Sequence, residues 1–186
     1  MAARSLTAFF SEAIPAGRLT LRKFKSADAA AIHSAAQENN GEMLDFFIIP
    51  HEPFATVDDV KDYALPAIKS FEISQDFHYL GAFRTGAPDR MIGMLGFTRD
   101  RNRLLRAAYF IRKSERRRGY AREMYTHLMQ TISRKLEQHQ MVAEVEYGNT
   151  ASLAMLRSLG FSTLGIRTAT ANKHDDRRMI ALRKTI

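Results

Sequence analysis

The chain has 186 residues, 45% of them hydrophobic and 26% charged, which supplies a buried core and argues against disorder; the length suits one domain of the common size, about 100–200 residues. Lys and Arg exceed Asp and Glu by 28 to 20, a net charge of +8, so a partner with anionic groups is expected: nucleic acid, an acidic membrane surface or a phosphate-bearing small ligand. Cysteine is absent, which excludes disulfide scaffolds, thiolate metal sites and cysteine nucleophiles, and allows the reducing, cytoplasmic setting expected here.

Residues 1–17 contain Arg4, Glu12 and Pro15 and lack the apolar segment of a secretory signal, so they read as an N-terminal extension. Leu19 to Phe24 alternates apolar with polar and predicts a strand. A helix follows, with Ser26 as its cap, Asp28 in its first turn and Asn39-Asn40-Gly41 as its stop. Glu42 to Phe54 predicts a loop or short helix. Thr56 and Asp59 form a capping-box pair for a second helix whose buried stripe is Val57, Val60, Tyr63, Ala64, Ala67, Ile68 and Phe71, with a kink expected at Pro66.

Phe77 to Arg84, Met91 to Thr98 and Arg103 to Ile111 predict a three-stranded antiparallel meander, with turns at Gly86 to Asp89 and Asp100 to Asn102. Ala121, Met124, Tyr125, Leu128, Ile132 and Leu136 share one face of a long helix over 120–138. Then come a strand at Met141 to Val145, a helix from Thr150 to Leu159 closed by Gly160, and strands at Phe161 to Ala169 and Arg178 to Lys184 around a turn at Asn172 to Asp176. The order β α α β β β α β α β β implies a mixed α/β sheet, and no apolar run approaches the roughly 18 residues that span a bilayer. Six histidines show no paired ligand spacing, so no metal is expected.

The chemistry concentrates where a strand, Tyr109-Phe110-Ile111, runs through a basic bend into the long helix. Gly119 tolerates unusual dihedrals and lets backbone approach a ligand, Ala121 keeps the next turn free of bulk, and the helix start offers unpaired N–H groups at the positive end of its dipole. Arg116, Arg117 and Arg118 add guanidinium groups suited to phosphate oxygens, so a diphosphate fits the bend. The pattern matches neither a P-loop nor a dinucleotide fingerprint. A solvated basic loop or a nucleic-acid patch is the competing reading.

Arg116-Arg117-Arg118-Gly119-Tyr120-Ala121 resembles the Arg/Gln-x-x-Gly-x-Gly/Ala loop of the GNAT superfamily of acyl-CoA-dependent N-acyltransferases. Asn149-Thr150-Ala151-Ser152 followed by Leu159-Gly160-Phe161 is similar to the family's Asn-x-x-Ser…Gly-Phe segment. Leu19-Thr20-Leu21-Arg22 with Asp28 resembles the opening of the branch that includes ribosomal-protein N-terminal acetyltransferases. The likeness runs from about Arg18 to Lys184 and implies a single acyltransferase domain over 1–186. Its fold would be a mostly antiparallel sheet of about seven strands, helices on both faces, with the fourth and fifth strands splayed.

The resemblance implies that the pantetheine arm of acetyl-CoA inserts in the splay against backbone groups of Tyr109, Phe110 and Ile111. Its pyrophosphate would sit on the N–H groups of Arg116 to Ala121, with Asn149 beside the arm. An N–H near Phe110 or Ile111 would polarise the thioester carbonyl. Many relatives place a tyrosine acid seven residues after the asparagine, where this chain has Leu156; in the branch it resembles, the serine of Asn-x-x-Ser serves instead, which implies Ser152 as the candidate acid. Glu144 and Glu146 share one strand face and are the candidate bases, with His78 behind them. The acceptor, a protein N-terminus or a small amine, is unspecified, although Glu42, Asp45 and Glu52 would attract a cation. Homodimerisation is open, as relatives often pair. A nucleic-acid-binding module and an inactive CoA-binding relative are the alternatives.

Overall fold

The computed structural model describes residues 12–39, 55–74, 77–99, 104–136, 140–168 and 178–186. The acidic segment 42–54 and the turns expected at 100–102 and 172–176 lie outside these residues.

Among the described residues, eight strands form one sheet. The N-terminal extension is not all outside it: Ile14–Ala16 forms β1 and pairs antiparallel with β2, Leu19–Arg22, through the turn at Gly17 and Arg18. Ile14 and Ala16 flank a proline and bury their side chains, a period of two too short to be read from sequence. After β2, a 3₁₀ turn, Ser26–Asp28, leads into α1, Ala29–Glu38. Ser26 does not cap it. Asp28 instead reaches back to the Lys25 N–H at 2.7 Å and takes Arg22 at 2.7 and 2.8 Å, a bidentate pair that joins β2 to the helix start.

Helix α2 comprises an α turn Val57–Asp59, a π turn Val60–Ala64 and an α segment Leu65–Ser74. Thr56 caps it as expected, with Oγ1 accepting from Asp59 N–H at 3.1 Å and Asp59 Oδ2 accepting from Thr56 N–H at 2.8 Å. Ahead of Pro66, where a kink is expected, the helix widens into this π turn, with Leu65 N–H bonding Val60 O five residues back. The extra residue shifts the helical phase. Val60, Ala64 and Ile68 therefore reach the core, whereas Tyr63, expected inside, is 68% exposed.

Strands β3 (Phe77–Arg84), β4 (Ala87–Arg99) and β5 (Leu105–Ile111) make the expected antiparallel meander, β4 starting four residues earlier than its apolar run because the turn is only Thr85-Gly86. Helix α3, Tyr120–Leu136, leads to β6, Gln140–Glu146; α4, Thr150–Ser158, leads to the hairpin of β7, Ser162–Thr168, and β8, Arg178–Thr185. The spatial order is β1-β2-β3-β4-β5-β6-β8-β7, antiparallel throughout except β5 with β6.

Two cores cover the faces of the sheet. Tyr125, Leu128 and Ile132 of α3 and Leu156 of α4 pack on Leu21, Leu80, Leu95 and Phe97 on one face. Ile32 of α1 and Val60, Ala64 and Ile68 of α2 pack on Tyr79, Phe83, Met94 and Phe110 on the other. Each large side chain removed from water contributes about 1.5–3 kcal/mol, which holds the helices that carry the site.

Candidate active site

The site begins at a fork. β5 pairs with β4 along its whole length, from Leu105 to Ile111, but with β6 only at Leu105, Arg106 and Ala107. From Ala108 onward the two parallel strands part, so the expected splay is present. Arg112 N–H donates to Ile92 O of β4 at 2.9 Å, and alternation then turns the main-chain groups of Phe110 and Ala108 toward β4 as well. Tyr109 and Ile111 consequently direct their N–H and C=O groups into the opening. At the fork, the Ala107 carbonyl accepts a hydrogen bond from the buried Tyr125 hydroxyl at 2.9 Å; burial raises that phenol well above its ordinary pKa.

Gly93 makes this arrangement sterically feasible. A Cβ there would stand 2.2 Å from the Phe110 carbonyl oxygen, so β4 supports β5 only without a side chain. The signal was available as a glycine inside an apolar strand, and sequence reasoning passed over it.

Beyond Ile111 the chain makes the 3₁₀ turn Lys113–Glu115 and the bend into α3. Arg117 has φ 63 and Gly119 φ 84, so two left-handed residues two apart curl the backbone; a non-glycine residue there carries strain, a feature that gathers at functional sites. The first turn of α3 leaves N–H groups of Tyr120, Ala121 and Arg122 without intrahelical acceptors, and Glu123 is the first to find one, Gly119 O at 3.1 Å. The result is a concave run of donors at a helix N-terminus, a built anion seat.

The three arginines divide their work. Arg116 donates through Nε to Ile111 O at 3.1 Å and through Nη2 to Asn39 Oδ1 at 3.3 Å, tying the bend to the end of α1. Arg118 lies 3.3 Å from the buried carboxylate of Glu115, which Arg90 also holds at 2.5 Å. Arg117 is exposed. A latch from α1 completes the frame: Glu38 accepts from Arg112 Nε and from Ser114 N–H. Burial works to raise the Glu38 carboxyl, but these hydrogen bonds outweigh it and hold the group below its ordinary value.

On the far side of the opening, Asn149 Oδ1 caps α4 by accepting from Ser152 N–H at 3.1 Å. Ser152 is buried, and its Oγ accepts a hydrogen bond of 3.0 Å from the Tyr109 hydroxyl. That bond bridges the parted strands. The Tyr109 ring is fixed edge-on against Tyr125, with centroids 5.5 Å apart. The sequence had pointed to Tyr109 for its backbone; the side chain went unnoticed because nothing in the spacing from 109 to 152 announces a contact.

The carboxylates differ. Glu144 Oε1 is shared by Arg106, at 2.5 Å, and Arg167. Glu146, at the end of β6, is exposed and enters no ion pair among the described residues. His78 is fully buried on β3, stacked on Phe97, two strands from β5, so the structure does not bring it to the opening. A separate cleft of about 550 Å³ between α1 and segment 112–115 is lined by Asp28, Ser34, Arg90 and Arg112 and by none of the residues of the fork. Among the described residues no helix is long and apolar enough to cross a membrane, and no group of three His, Asp or Glu side chains gathers as for a metal ion.

The acetyltransferase (GNAT) domain model matches residues 18–162. No curated protein sequence matches the chain. Among solved structures, it resembles RimL, the ribosomal L7/L12 alpha-N-protein acetyltransferase in complex with coenzyme A, with TM-score 0.75 at 18% identity over 94% of this chain and 98% of that one. It also resembles the ribosomal-protein-S5-alanine acetyltransferase from Vibrio fischeri, with TM-score 0.71 at 18% identity over 94% and 96% of the two chains. A third likeness is the microcin C7 self-immunity acetyltransferase MccE in complex with acetyl-CoA and AMP, with TM-score 0.73 at 15% identity over 91% and 93%. Identities this low establish the shared fold, and the domain match adds the family.

Proposed function

Because the chain belongs to the acetyltransferase (GNAT) family, an acyl-CoA-dependent N-acetyltransferase that moves an acetyl group from acetyl-CoA to an amine, we propose that the β5–β6 fork and the bend at Arg116 to Ala121 are where it does so. The observation that carries this assignment is the early parting of β5 from β6 beside a helix start with unpaired N–H groups. An open strand edge offers amide-bearing pantetheine the hydrogen bonds another strand would make. Tyr109 and the Ile111 N–H supply those main-chain groups, Phe110 closes the opposite face, and the N–H groups of Arg117 to Ala121 receive the diphosphate, the Arg116 N–H being held by Lys113 O. Asn149 shapes the α4 end of the groove.

Acetyl-CoA acts here as a co-substrate, supplying the thioester carbon that the amine attacks. Ile111 N–H, turned into the opening, suits the oxyanion; Phe110 N–H, turned toward β4, does not. Ser152 stands where a departing sulfur needs a proton. Of the two glutamates, Glu146 is better suited to take the amine proton, directly or through water, since Glu144 Oε1 is already held by Arg106 and Arg167. We read residues 1–186 as one acyltransferase domain. The acceptor is a primary amine, on a protein N-terminus or a small molecule, reached from the β6 side. A cytoplasmic location is proposed with it, as the place where so charged a donor is at hand; a homodimer is compatible with this reading.

Calorimetry with acetyl-CoA and CoA tests the assignment. Both ligands are expected to bind, and Gly119→Trp to abolish most of the affinity by filling the seat. No binding of either ligand would remove the proposal.

A further inference from the structure

The Tyr109–Ser152 hydrogen bond poses a chemical problem with an informative answer. A thiol titrates near 8.5 and a phenol near 10, so their proton exchange is nearly balanced, whereas an aliphatic hydroxyl is a far weaker acid than either. Ser152 alone is therefore a poor net source of the proton that the leaving sulfur needs. The hydroxyl that donates to Ser152 Oγ is a phenol, at 3.0 Å, from the part of β5 that has separated from β6. Leu156 occupies the position from which relatives supply a tyrosine, so no other phenol is offered from α4.

We infer that Tyr109 and Ser152 form a two-step proton relay, in which the phenol of Tyr109 is the acid and Ser152 is the carrier that touches the sulfur. The inference rests on the donor binding in the fork as proposed above. As the carbon–sulfur bond breaks, the sulfur takes the Ser152 hydroxyl proton while Oγ takes the proton of Tyr109 Oη. Sulfur leaves as a thiol, Ser152 is unchanged, and Tyr109 is left as a phenolate that regains a proton from water. The attacking amine loses one proton to base, so the exchange balances.

The surroundings of Tyr109 suit a phenol that holds its proton until it is demanded. Burial raises it above its ordinary value, while the Ser152 hydrogen bond and the Arg116 guanidinium act in the opposite direction and would support a transient phenolate. Arg116 from the bend and Tyr125 from α3 are the charged and titratable groups facing it. Because the Tyr109 hydroxyl works through Ser152, its side chain is a positioning and relay group that does not touch the reacting atoms.

The test follows thiol release from acetyl-CoA with a panel of peptide N-termini and polyamines for the wild type, Tyr109→Phe, Ser152→Ala and the double variant. Tyr109→Phe is expected to lower kcat about 100-fold, the usual scale for one general acid, with acetyl-CoA affinity by calorimetry unchanged. The double variant should be no slower than the slower single one, as expected of groups acting as a unit. The alkaline fall of kcat should move to lower pH when fluorotyrosine replaces tyrosine at 109. Tyr109→Phe within twofold of wild-type kcat, losses that multiply in the double variant, or an unmoved alkaline limb would each overturn the relay. Wild-type protein that binds acetyl-CoA yet releases no thiol with any amine would defeat the transfer reading itself, and the relay with it.

Discussion

Arg18, in the turn between β1 and β2, holds Glu123 in the first turn of α3 through Nε at 3.0 Å and Nη2 at 2.8 Å, and the same Nη2 donates to the Arg118 carbonyl at 2.9 Å. Its guanidinium also lies over the Tyr120 ring, 4.3 Å from the centroid. A residue at the edge of the N-terminal extension thus braces both the bend and the helix that starts from it. Replacing Arg18 with Ala should raise the dissociation constant for CoA severalfold by calorimetry. Glu123→Gln should do the same, and the double variant should add little, since the two groups share one contact. Independent, additive losses would show that the brace does not act as a pair.

At Arg117 the left-handed backbone costs a non-glycine residue about 1–3 kcal/mol, whereas glycine returns about 0.4–1 kcal/mol through its freer unfolded chain. Arg117→Gly should therefore stabilise the fold, by up to about 2.6 kcal/mol in urea titration, and keep CoA binding if the main-chain N–H groups hold the diphosphate. Abolished binding would assign that task to the guanidinium.

Gly93 faces the opposite constraint. With a Cβ only 2.2 Å from Phe110 O, Gly93→Ala must push β5 away from β4, and overpacking of this kind costs about 1–3 kcal/mol. Because the displaced segment carries Tyr109 and Ile111, acetyl transfer should fall further than the loss in melting temperature alone explains. Unchanged activity would mean the strand edge tolerates movement.

The Glu38 latch carries a pH signature. Its carboxyl sits below its ordinary value of 4.5 in the folded state, so across that window the unfolded chain binds more protons and stability rises with pH. The contribution is complete above about pH 4.5 and disappears as pH falls through the lower folded value. Glu38→Gln should therefore be less stable than wild type at pH 7 and converge with it in acid denaturation; a constant difference across that range would dismiss the latch.

These residues also show what the sequence discloses. Patterns carried by neighbours in the chain were legible: the Thr56–Asp59 capping box, the meander, the long apolar face of α3 and the glycine bend before it. Tyr63 was placed on the wrong side because a π turn ahead of Pro66 adds a residue to the period, which no fixed spacing anticipates. β1 was missed because three residues around a proline give too short an alternation. The splay followed from the resemblance rather than from periodicity. The Tyr109–Ser152 bond and the double ion pairing of Glu144 join residues 43 and 38 or 23 positions apart, and only the folded sheet brings such partners together.

Amide hydrogen exchange with and without saturating acetyl-CoA tests the central claim most directly, because adjacent residues of β5 face opposite ways. Phe110 and Ala108, bonded to β4, should exchange slowly in both states; Tyr109, Ile111 and the amides of Arg117 to Ala121 should exchange fast alone and slow when the donor is bound. If the donor binds and these amides show no added protection, the fork and the bend are not where it is held.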